Sequence, residues 1–591
     1  MTTITPDPGN QRPPQGPPGP SLRPQAGGPG TLTAVPHADQ SQTTQKGQPA
    51  TPPGPPRPVR VSATSLAELV GQLGITAPRG TAQGAANDGA ADDNGTTGTT
   101  GTTGTTDVTG TIDVTGSTGI TGITHDSRAV RPGDLYVARP GARVHGADFV
   151  TQAAGLGAAA VLTDPAGAER ARATGLPVLV VADPAAVMGE LAATIYGHPG
   201  RDLLQIGITG TSGKTTTAYL MEGGLRTARA TGLIGTVETR IGDERIKSER
   251  TTPEATDLQA LFAVMRERGV EAVAMEVSSH ALVLGRVDGC VFDIAVFTNL
   301  SPEHMEFHSG MEDYYGAKAR LFTPERGRLG VVNLDDEYGR RLAREAGVPV
   351  LTYSAEGHPD ADWRAESVAV GPLDSTFTAV GPDGARISAR SPLPGPFNVA
   401  NTLAALVTLA AAGLDPQTAA DGIAAVPGVP GRLERVDAGQ DYLAVVDYAH
   451  KTDAVESVLK ALRKVTKGRV HIVLGCGGDR DTTKRVPMGA AAARLADTAV
   501  LTSDNPRSED PLAILATMLQ GAASVPAHER GEVLLFEDRA AAIAAAVARA
   551  RPGDTVLVAG KGHEQGQDIA GVVRPFDDRL VLREAIRKTQ G

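Results

Sequence analysis

A short apolar stretch followed by a glycine-rich turn lies near the middle of this 591-residue chain. Residues 205–217 read QIGITGTSGKTTT, which predicts a strand, a turn and the start of a helix. In such a unit backbone N–H groups close around phosphate oxygens, Lys214 adds a positive charge, and the hydroxyl of Thr215 can meet Mg2+. Only two residues separate Gly210 from Gly213. This spacing is tighter than in common phosphate loops, and it points away from motors, GTPases and small-molecule kinases.

Short apolar stretches alternate with alanine-rich helical stretches along most of the chain. Examples are Asp134–Ala138, Ala272–Val277 and Val470–Leu474. Continuous apolar runs of this length are typical of parallel strands covered by helices on both sheet faces, and ligands gather at the carboxyl ends of such strands. The fold class is therefore predicted to be α/β, with three domains because the chain is too long for one core. The predicted domains are residues 61–199, 200–430 and 431–591.

Two segments have a composition that is typical of disorder. The first 60 residues contain 24 Pro or Gly, and 25 of the 44 residues at 80–123 are Gly or Thr. Such segments cannot bury enough apolar surface to offset chain entropy. We therefore predict a disordered leader at 1–60 and a flexible insertion at 80–123 within the first domain. A dispensable tail explains the leader more simply than a docking arm.

The bulk composition limits the class of protein. The net charge of -11 and the pI near 5.6 argue against a nucleic-acid binder, whose domain normally carries a basic face. Cys290 and Cys476 lack neighbours at disulfide or zinc-site spacing, which fits a reducing cytoplasm. Neither a long apolar stretch nor a signal-peptide pattern occurs in the sequence. The sequence predicts a cytoplasmic enzyme without a membrane span, and we expect a monomer.

Two further segments carry candidate metal ligands. Glu276 ends one apolar stretch, and His304 follows the next. We expect these two strands to end side by side near the phosphate loop, where a carboxylate would suit Mg2+. A surface ion pair for Glu276 and a structural histidine are the alternatives. The residues around Lys318 by themselves predict a solvent-exposed helical lysine.

Five ordered segments together resemble the Mur ligase family. They are residues 210–216, 275–280, 299–304, 446–450 and 475–481. The resemblance covers roughly residues 120–591 and implies an ATP- and Mg2+-dependent ligase that forms an amide bond in the synthesis of the peptidoglycan precursor. It also implies a uridine-nucleotide-binding first domain, a central ATP-binding domain with a mostly parallel sheet, and a Rossmann-like C-terminal domain.

The resemblance implies roles at individual positions around ATP. Lys214, Glu276, His304 and Lys318 correspond to catalytic residues, and Lys318 to a carbamylated lysine, which reverses its assignment as an exposed helical residue. Glu303 stands where relatives often have Asp. The implied ATP-binding residues are Gly210, Thr211, Ser212, Gly213, Lys214, Thr215, Thr216, Asn398, Asn401, Arg432, Asp447 and His450. The implied metal ligands are Thr215, Glu276, His304 and Lys318.

The resemblance also implies the two other substrates, UDP-N-acetylmuramoyl-L-alanyl-D-glutamate and diaminopimelate. The implied nucleotide-peptide residues are His125, Ser127, His145, Gly146, Ala147, Thr251, Thr252, Ser278 and Arg286, while Leu284 stands where a relative has Gln. The implied diaminopimelate residues are Arg480, Asp504, Asn505, Pro506, Arg507, Gly560 and Glu564. The D-N-P-R signature at 504–507 marks members that add diaminopimelate, because Arg507 can bind its distal carboxylate bidentately. With lysine a buried guanidinium would be left unpaired, at a cost of several kcal/mol.

The implied reaction proceeds through an acyl phosphate, so positioning and electrostatics supply the catalysis and no protein nucleophile is required. Folylpolyglutamate synthase is an alternative, which should lack the first domain and the D-N-P-R segment. A P-loop switch protein with the leader as docking arm is a second alternative, and it predicts nucleotide hydrolysis without either co-substrate. The stereoisomer of diaminopimelate and the roles of the leader and the insertion do not follow from the sequence.

Overall fold

A computed structural model describes residues 54–74 and 118–590 of this chain. Residues 1–53 of the predicted leader and residues 80–117 of the predicted insertion lie outside the described residues. The described residues form three α/β regions, each built around its own sheet, as expected for the fold class. Within the described ranges no helix is both long and apolar enough to cross a membrane.

The first region contains a four-stranded parallel sheet whose strands lie side by side in chain order. Apolar side chains of the central strands alternate between two clusters, one under the helices at 66–72 and 184–195 and one under the helices at 150–155 and 168–172. Its elements are β1 (Thr64–Ser65), α1 (Leu66–Gln72), β2 (Gly119–Ile120), β3 (Gly122–Thr124), β4 (Asp134–Ala138), α2 (Val150–Gly155), β5 (Ala160–Thr163), α3 (Ala168–Arg172), β6 (Val178–Val180) and α4 (Pro184–Ile195), with 3-10 helices at Gly146–Phe149 and Pro199–Asp202.

The predicted ends of the leader and of the insertion are wrong. Residues 119–123 contribute to β2 and β3, because Ile120 and Ile123 are fully buried in the first core and β2 pairs with β1. Residues 57–60 contact the folded protein through the Arg57 side chain and through the backbone of Val59 and Arg60. Composition alone missed these contacts because a few anchoring residues lie at the end of each low-complexity segment.

The central region is built on an eleven-stranded sheet. Its elements are β7 (Leu204–Thr209), α5 (Lys214–Leu225), β8 (Thr231–Ile234), β9 (Glu238–Ile241), β10 (Glu244–Lys247), α6 (Ala255–Glu267), β11 (Ala272–Glu276), α7 (Ser279–Val283), β12 (Phe292–Phe297), α8 (Met311–Ala319), β13 (Gly327–Asn333), α9 (Glu337–Glu345), β14 (Val350–Ser354), β15 (Trp363–Val370), β16 (Ser375–Val380), β17 (Arg386–Ser391), α10 (Pro396–Ala411) and α11 (Pro416–Ala424), with 3-10 helices at Arg320–Phe322 and Pro382–Gly384.

The strand order in this sheet places the phosphate loop between two other candidate segments. The order is β10-β9-β8-β11-β7-β12-β13-β14-β15-β16-β17, with parallel pairing from β8 to β15. The expectation that the strands of Glu276 and His304 end side by side is therefore wrong, because β7 lies between β11 and β12. Glu276 is paired with Ile208, and Phe297 with Thr209. All three strands thus end at the same sheet edge, with the phosphate loop in the middle.

The C-terminal region has a six-stranded sheet in the order β18-β19-β23-β20-β21-β22, parallel except for β18. The strand Val470–Leu474 has the bounds predicted from the sequence. Its elements are β18 (Glu434–Arg435), β19 (Leu443–Asp447), α12 (Thr452–Val465), β20 (Val470–Leu474), α13 (Arg485–Leu495), β21 (Thr498–Leu501), α14 (Pro511–Ser524), β22 (Glu532–Leu535), α15 (Arg539–Val547), β23 (Thr555–Ala559), β24 (Gly566–Ile569), β25 (Val572–Pro575) and α16 (Asp578–Gln590).

Candidate active site

A cavity of about 780 Å³ lies where the central and C-terminal regions meet. Its central wall is the phosphate loop together with the ends of β11, β12 and β13, and its opposite wall comes from the end of β19, the segment after it and one side of α12. Most of the predicted ATP residues line it, together with four other predicted residues. These residues are Thr211, Ser212, Gly213, Lys214, Thr215, Thr216, Asn398, Asn401, Arg432, Asp447 and His450, with Thr251, Glu276, Ser278 and His304.

The two loop glycines are required by their conformation and by their neighbours. Gly210 has φ +145° and Gly213 has φ +89°, which L side chains rarely adopt. A Cβ on Gly210 would also lie 2.0 Å from Thr298 Oγ1, and one on Gly213 would lie 2.4 Å from Asn401 Oδ1. The short spacing between the glycines therefore produces a loop packed tightly against β12 and α10.

Asn299 holds the loop in place, although the sequence did not single it out as a site residue. Its carbonyl accepts a hydrogen bond from Thr211 N at 2.8 Å, and its Oδ1 accepts one from Ser212 N at 2.9 Å. Its Nδ2 donates to Ser212 O at 3.0 Å. A polar residue directly after a buried strand that borders the phosphate strand was the available signal.

The partly buried Lys214 and the buried Lys318 share one loop carbonyl. Lys214 Nζ donates to Gly210 O and Thr211 O, both at 2.9 Å, and Lys318 Nζ donates to Gly210 O at 2.8 Å. Lys318 is 1 % exposed and lies 4.6 Å from the centre of the Tyr314 ring. Burial lowers the pKa of Lys214 and lowers that of Lys318 well below the usual lysine range. The prediction of a solvent-exposed lysine from local sequence is therefore wrong, and Lys318 lies behind the loop without lining the cavity.

The predicted metal ligands are arranged around the loop in different ways. Glu276 is buried, and its carboxylate accepts hydrogen bonds from Thr236 N at 2.8 Å and Thr236 Oγ1 at 3.0 Å. His304 adopts φ +59°, and its ring nitrogens face Glu303 and Glu306 at 3.8 and 3.5 Å. Across residues 54–74 and 118–590, no three His, Cys, Asp or Glu side chains are grouped as a metal site. Among the four predicted metal ligands, the Thr215 hydroxyl and Lys318 would therefore have to supply the ligands beyond Glu276 and His304.

The C-terminal region reaches the phosphate loop through Arg432. Its guanidinium donates to Thr215 Oγ1 at 3.1 Å and lies 4.7 Å from the centre of the Tyr448 ring. The Asp447 carboxylate accepts hydrogen bonds from Leu433 N and Ala449 N, both at 2.8 Å. Burial raises the pKa of Asp447, whereas the positive charge of Arg432 acts to lower it. Burial lowers the pKa of His450 to about 4, so its imidazole is neutral near pH 7.

Asn398 and Asn401 of α10 approach the loop from the other side. Asn401 Oδ1 accepts from Thr217 Oγ1 at 3.3 Å, and Asn401 Nδ2 donates to Asn398 Oδ1 at 3.1 Å. The far end of the cavity is lined by residues that the sequence did not assign to the site. They include Asn333, Asp335, Asp336 and Tyr353, which follow or belong to β13 and β14. Polar residues after a buried strand were again the signal.

The predicted first-domain residues lie outside this cavity. His145 Nε2 is 3.0 Å from Asp164 Oδ1, and its Nδ1 accepts from Ala147 N at 2.9 Å, which orders the turn containing Gly146. Ser127 Oγ donates to Gln152 at 3.1 Å. His125 lies 3.2 Å from Thr256 Oγ1 of α6 and therefore joins the first and central regions.

Of the remaining nucleotide-peptide residues, Thr251 and Ser278 line the cavity, whereas Thr252 and Arg286 do not. Thr252 Oγ1 donates to Glu276 O at 2.8 Å and accepts from Ser278 N at 3.1 Å. Three arginines converge on the buried carboxylate of Glu254. They are Arg139, Arg250 and Arg286, at 3.3, 3.6 and 3.0 Å. This group carries an excess of positive charge at the junction, and Arg286 is its member that the sequence predicted. Leu284, two residues before Arg286 in the chain, is exposed.

The predicted diaminopimelate residues form a second group in the C-terminal region, apart from the cavity lining. Lys561, which the sequence did not assign, is fully buried and donates to Asn505 Oδ1 at 2.9 Å and Glu564 Oε2 at 3.1 Å. Asn505 Nδ2 also donates to Glu564 Oε2 at 2.8 Å. Gly560 has φ +112°, and a Cβ on this residue would lie 2.7 Å from Asp504 Oδ2. Pro506 precedes Arg507 in this group.

Arg507 has φ +52°, and NH1 donates to Gly478 O at 2.6 Å. Its side chain is partly exposed, and Arg480 is exposed. The expected penalty assumed a buried guanidinium and is therefore too large, because Arg507 is partly exposed.

Three sequence profiles match the three regions. One described as "Mur ligase family, catalytic domain" matches residues 119–196, "Mur ligase middle domain" matches 208–409, and "Mur ligase, glutamate ligase domain" matches 431–562. A relative from Streptomyces coelicolor is 81% identical over 531 residues, which are 90% of this chain and 98% of the relative. The chain belongs to the Mur ligase family. The relative is named UDP-N-acetylmuramoyl-L-alanyl-D-glutamate--2,6-diaminopimelate ligase.

Solved Mur ligase structures share this fold. One of an enzyme with the same name as the Streptomyces relative has 34% sequence identity and a TM-score of 0.59, and the match covers 81% of this chain and 97% of that one. The structure of MurF ligase from Thermotoga maritima in complex with ADP has 18% identity and a TM-score of 0.54, and the match covers 79% and 96% of the two chains. At that identity the second comparison shows the fold alone.

Proposed function

We propose that this protein is the ATP-dependent ligase that adds 2,6-diaminopimelate to UDP-N-acetylmuramoyl-L-alanyl-D-glutamate during synthesis of the peptidoglycan precursor. The main observation in support is that the phosphate loop, Glu276 and Ser278 line one cavity. The C-terminal region forms the other side of this cavity, and its Arg432 contacts Thr215 of the loop. The name of the Streptomyces relative, at 81% identity, supports the substrates. We place the reaction in the reducing cytoplasm, which fits the two free, buried cysteines.

ATP is proposed to lie along the large cavity, with its phosphates at the loop and its adenosine toward β13 and β14. The backbone of residues 210–213 and Lys214 would hold the phosphates. Thr215 and Glu276 would hold Mg2+, because a hydroxyl and a buried carboxylate are oxygen ligands of the kind this ion prefers, and both line the cavity. When bound, Mg2+ supplies positive charge to the transferring phosphoryl group.

Lys318 is proposed to carry the carbamate that the family resemblance implies. Its amine is buried behind the loop, and its lowered pKa favours the neutral form, which has the free electron pair that reaction with CO2 requires. The carbamate would place an anionic group next to Lys214, which shares the Gly210 carbonyl with it.

The acceptor's D-Glu γ-carboxylate would lie between Thr251, Ser278 and the phosphate loop. Its oxygen attacks the γ-phosphorus of ATP, the bond from that phosphorus to the bridging oxygen breaks, and ADP leaves. The diaminopimelate amine then attacks the acyl carbon, and phosphate leaves as the amide forms. Lys214 stabilises charge on the transferring group, while the closed cavity excludes water from the acyl phosphate.

The amino acid is proposed to bind at Asn505, Arg507 and Glu564. Lys561 and Asn505 donate to Glu564 Oε2, which fixes this carboxylate and leaves its Oε1 to accept from the ammonium group of the substrate. Arg507 uses one donor on Gly478 O, which leaves other donors of the guanidinium for the distal carboxylate of diaminopimelate. Lysine lacks that carboxylate and would lose this contact.

A single assay tests the proposed function. Full-length protein is incubated with ATP, Mg2+ and UDP-N-acetylmuramoyl-L-alanyl-D-glutamate plus either diaminopimelate or L-lysine, and phosphate and tripeptide are measured. We expect diaminopimelate to be used in strong preference. Arg507→Met should lower kcat/KM for diaminopimelate roughly 100-fold, since a charge-assisted hydrogen bond contributes about 1.5–3 kcal/mol. Arg494→Met, which changes an exposed arginine of α13, should leave it unchanged.

The other outcomes have distinct meanings. Equal use of lysine by the unaltered protein would overturn the role of Arg507. Phosphate release without either co-substrate would support a nucleotide-driven switch instead. Folylpolyglutamate synthase is disfavoured because the chain carries the first region and the D-N-P-R segment.

A further inference from the structure

One lysine of the C-terminal region crosses the cavity to the segment after β12 and has no role in the proposed function so far. Lys451 precedes α12, and its Nζ lies 3.0 Å from Glu303 Oε1. Both side chains are nearly buried, with 12 % and 14 % of their surfaces exposed, and both line the cavity. A second contact, from Ser301 Oγ to Asp453 Oδ2 at 2.7 Å, lies beside it.

Glu303 is the acidic partner of Lys451 at this point. Its carboxylate lies 3.0 Å from Lys451 Nζ and 3.8 Å from His304 Nε2. Lys214 lines the same cavity and donates to the carbonyls of the phosphate loop. Glu303 therefore offsets part of the positive charge that Lys451 and Lys214 bring to the cavity.

The phosphates of ATP would bring much more negative charge to the same place. Lys214 now donates to the loop's own carbonyls, Gly210 O and Thr211 O, and the carboxylates of Glu303 and Glu276 line the same cavity. A triphosphate in the loop would lie close to Glu303, and the two anions would repel each other. Lys451 gains more from a doubly charged phosphate group than from a single carboxylate.

We propose that Lys451 binds the γ-phosphate of ATP from the C-terminal region, and that Glu303 is the anion that holds it before ATP arrives. This inference rests on the proposed use of ATP. The exchange of partners would couple nucleotide binding to the position of the C-terminal region, because Lys451 lies on the far wall of the cavity. During transfer Lys451 would also stabilise the charge on the γ-phosphoryl oxygens.

Binding measurements on the full chain test this inference apart from the ligase reaction. Affinities for ADP and for β,γ-methylene-ATP are measured with Mg2+ by calorimetry. Lys451→Met should weaken β,γ-methylene-ATP about tenfold or more and change ADP affinity less than about twofold, since only the first ligand has a γ-phosphate. Lys451→Arg should retain most of the preference. Lys467→Met, which changes an exposed lysine outside the cavity, should match the unaltered protein.

Glu303→Gln distinguishes two roles of Lys451. In one role Lys451 binds the γ-phosphate, and in the other it only links the C-terminal region to the central region. If Glu303 only pairs with Lys451 until ATP binds, this change should leave the affinity for β,γ-methylene-ATP equal to or higher than that of the unaltered protein. A loss equal to that of Lys451→Met would show that the ion pair acts as a link and would overturn the inference. So would an equal effect of Lys451→Met on ADP and on β,γ-methylene-ATP. Failure of the diaminopimelate assay with normal binding selectivity would count against the proposed reaction and not against Lys451.

Discussion

Lys318 shows how burial can change the chemistry of one residue. Its surroundings in the chain, YYGAKARLF, resemble an ordinary exposed helix, yet the side chain is 1 % exposed and donates to the phosphate loop. We expect Lys318→Ala to abolish ligase activity and short carboxylates such as acetate to restore part of it, because they can occupy the space of the proposed carbamate. Product formation over a range of acetate concentrations checks this.

The control for Lys318→Ala is the unaltered enzyme with the same salts. It should gain nothing from acetate, since its own carbamate already fills the position. A variant that stays inactive at every carboxylate concentration, while still folding and binding ADP, would contradict the carbamate.

At the scale of elements, residues 57–60 form a strap from the first region to α6, in a segment that composition assigns to the leader. Arg57 bonds Asp134 at 2.6 Å in a nearly buried pair, while Val59 N and Arg60 N donate to Glu267. Arg57→Met should lower the free energy of unfolding by about 2–4 kcal/mol, because it leaves a buried carboxylate without its ionic partner. Urea unfolding measures this.

The matched control for the strap is Arg60→Met, since Arg60 is exposed and contributes its backbone N–H. It should change stability by less than about 0.5 kcal/mol. Equal effects of the two changes would show that the Arg57–Asp134 pair does not anchor the strap.

At the scale of the whole molecule, three substrates must meet at a cavity shared by separate regions. Arg432, Lys451 and Asp453 already connect the C-terminal region to the phosphate loop and to the segment after β12. We expect the C-terminal region to close further on the central region during turnover. Small-angle X-ray scattering should show a smaller radius of gyration with β,γ-methylene-ATP and the nucleotide-peptide bound together. An unchanged radius would contradict closure.

Much of the site was predictable because its signals are local. The phosphate loop, the strands that precede it and follow it, and the D-N-P-R segment are each encoded by residues adjacent in the chain. Asn299, Lys451 and Lys561 were missed because each acts on residues that are distant in sequence or belongs to no short pattern. The ends of the leader and of the insertion were misplaced for the same reason.

The sequence by itself determined the α/β class, the phosphate loop and the family, since strand and helix periodicity and motif spacing depend on neighbouring residues. Only the tertiary structure decided that β7 lies between β11 and β12, that Lys318 is buried, and that Lys451 faces Glu303. Strand order, burial and electrostatic environment are set by residues far apart in the chain, whose distances no local pattern specifies.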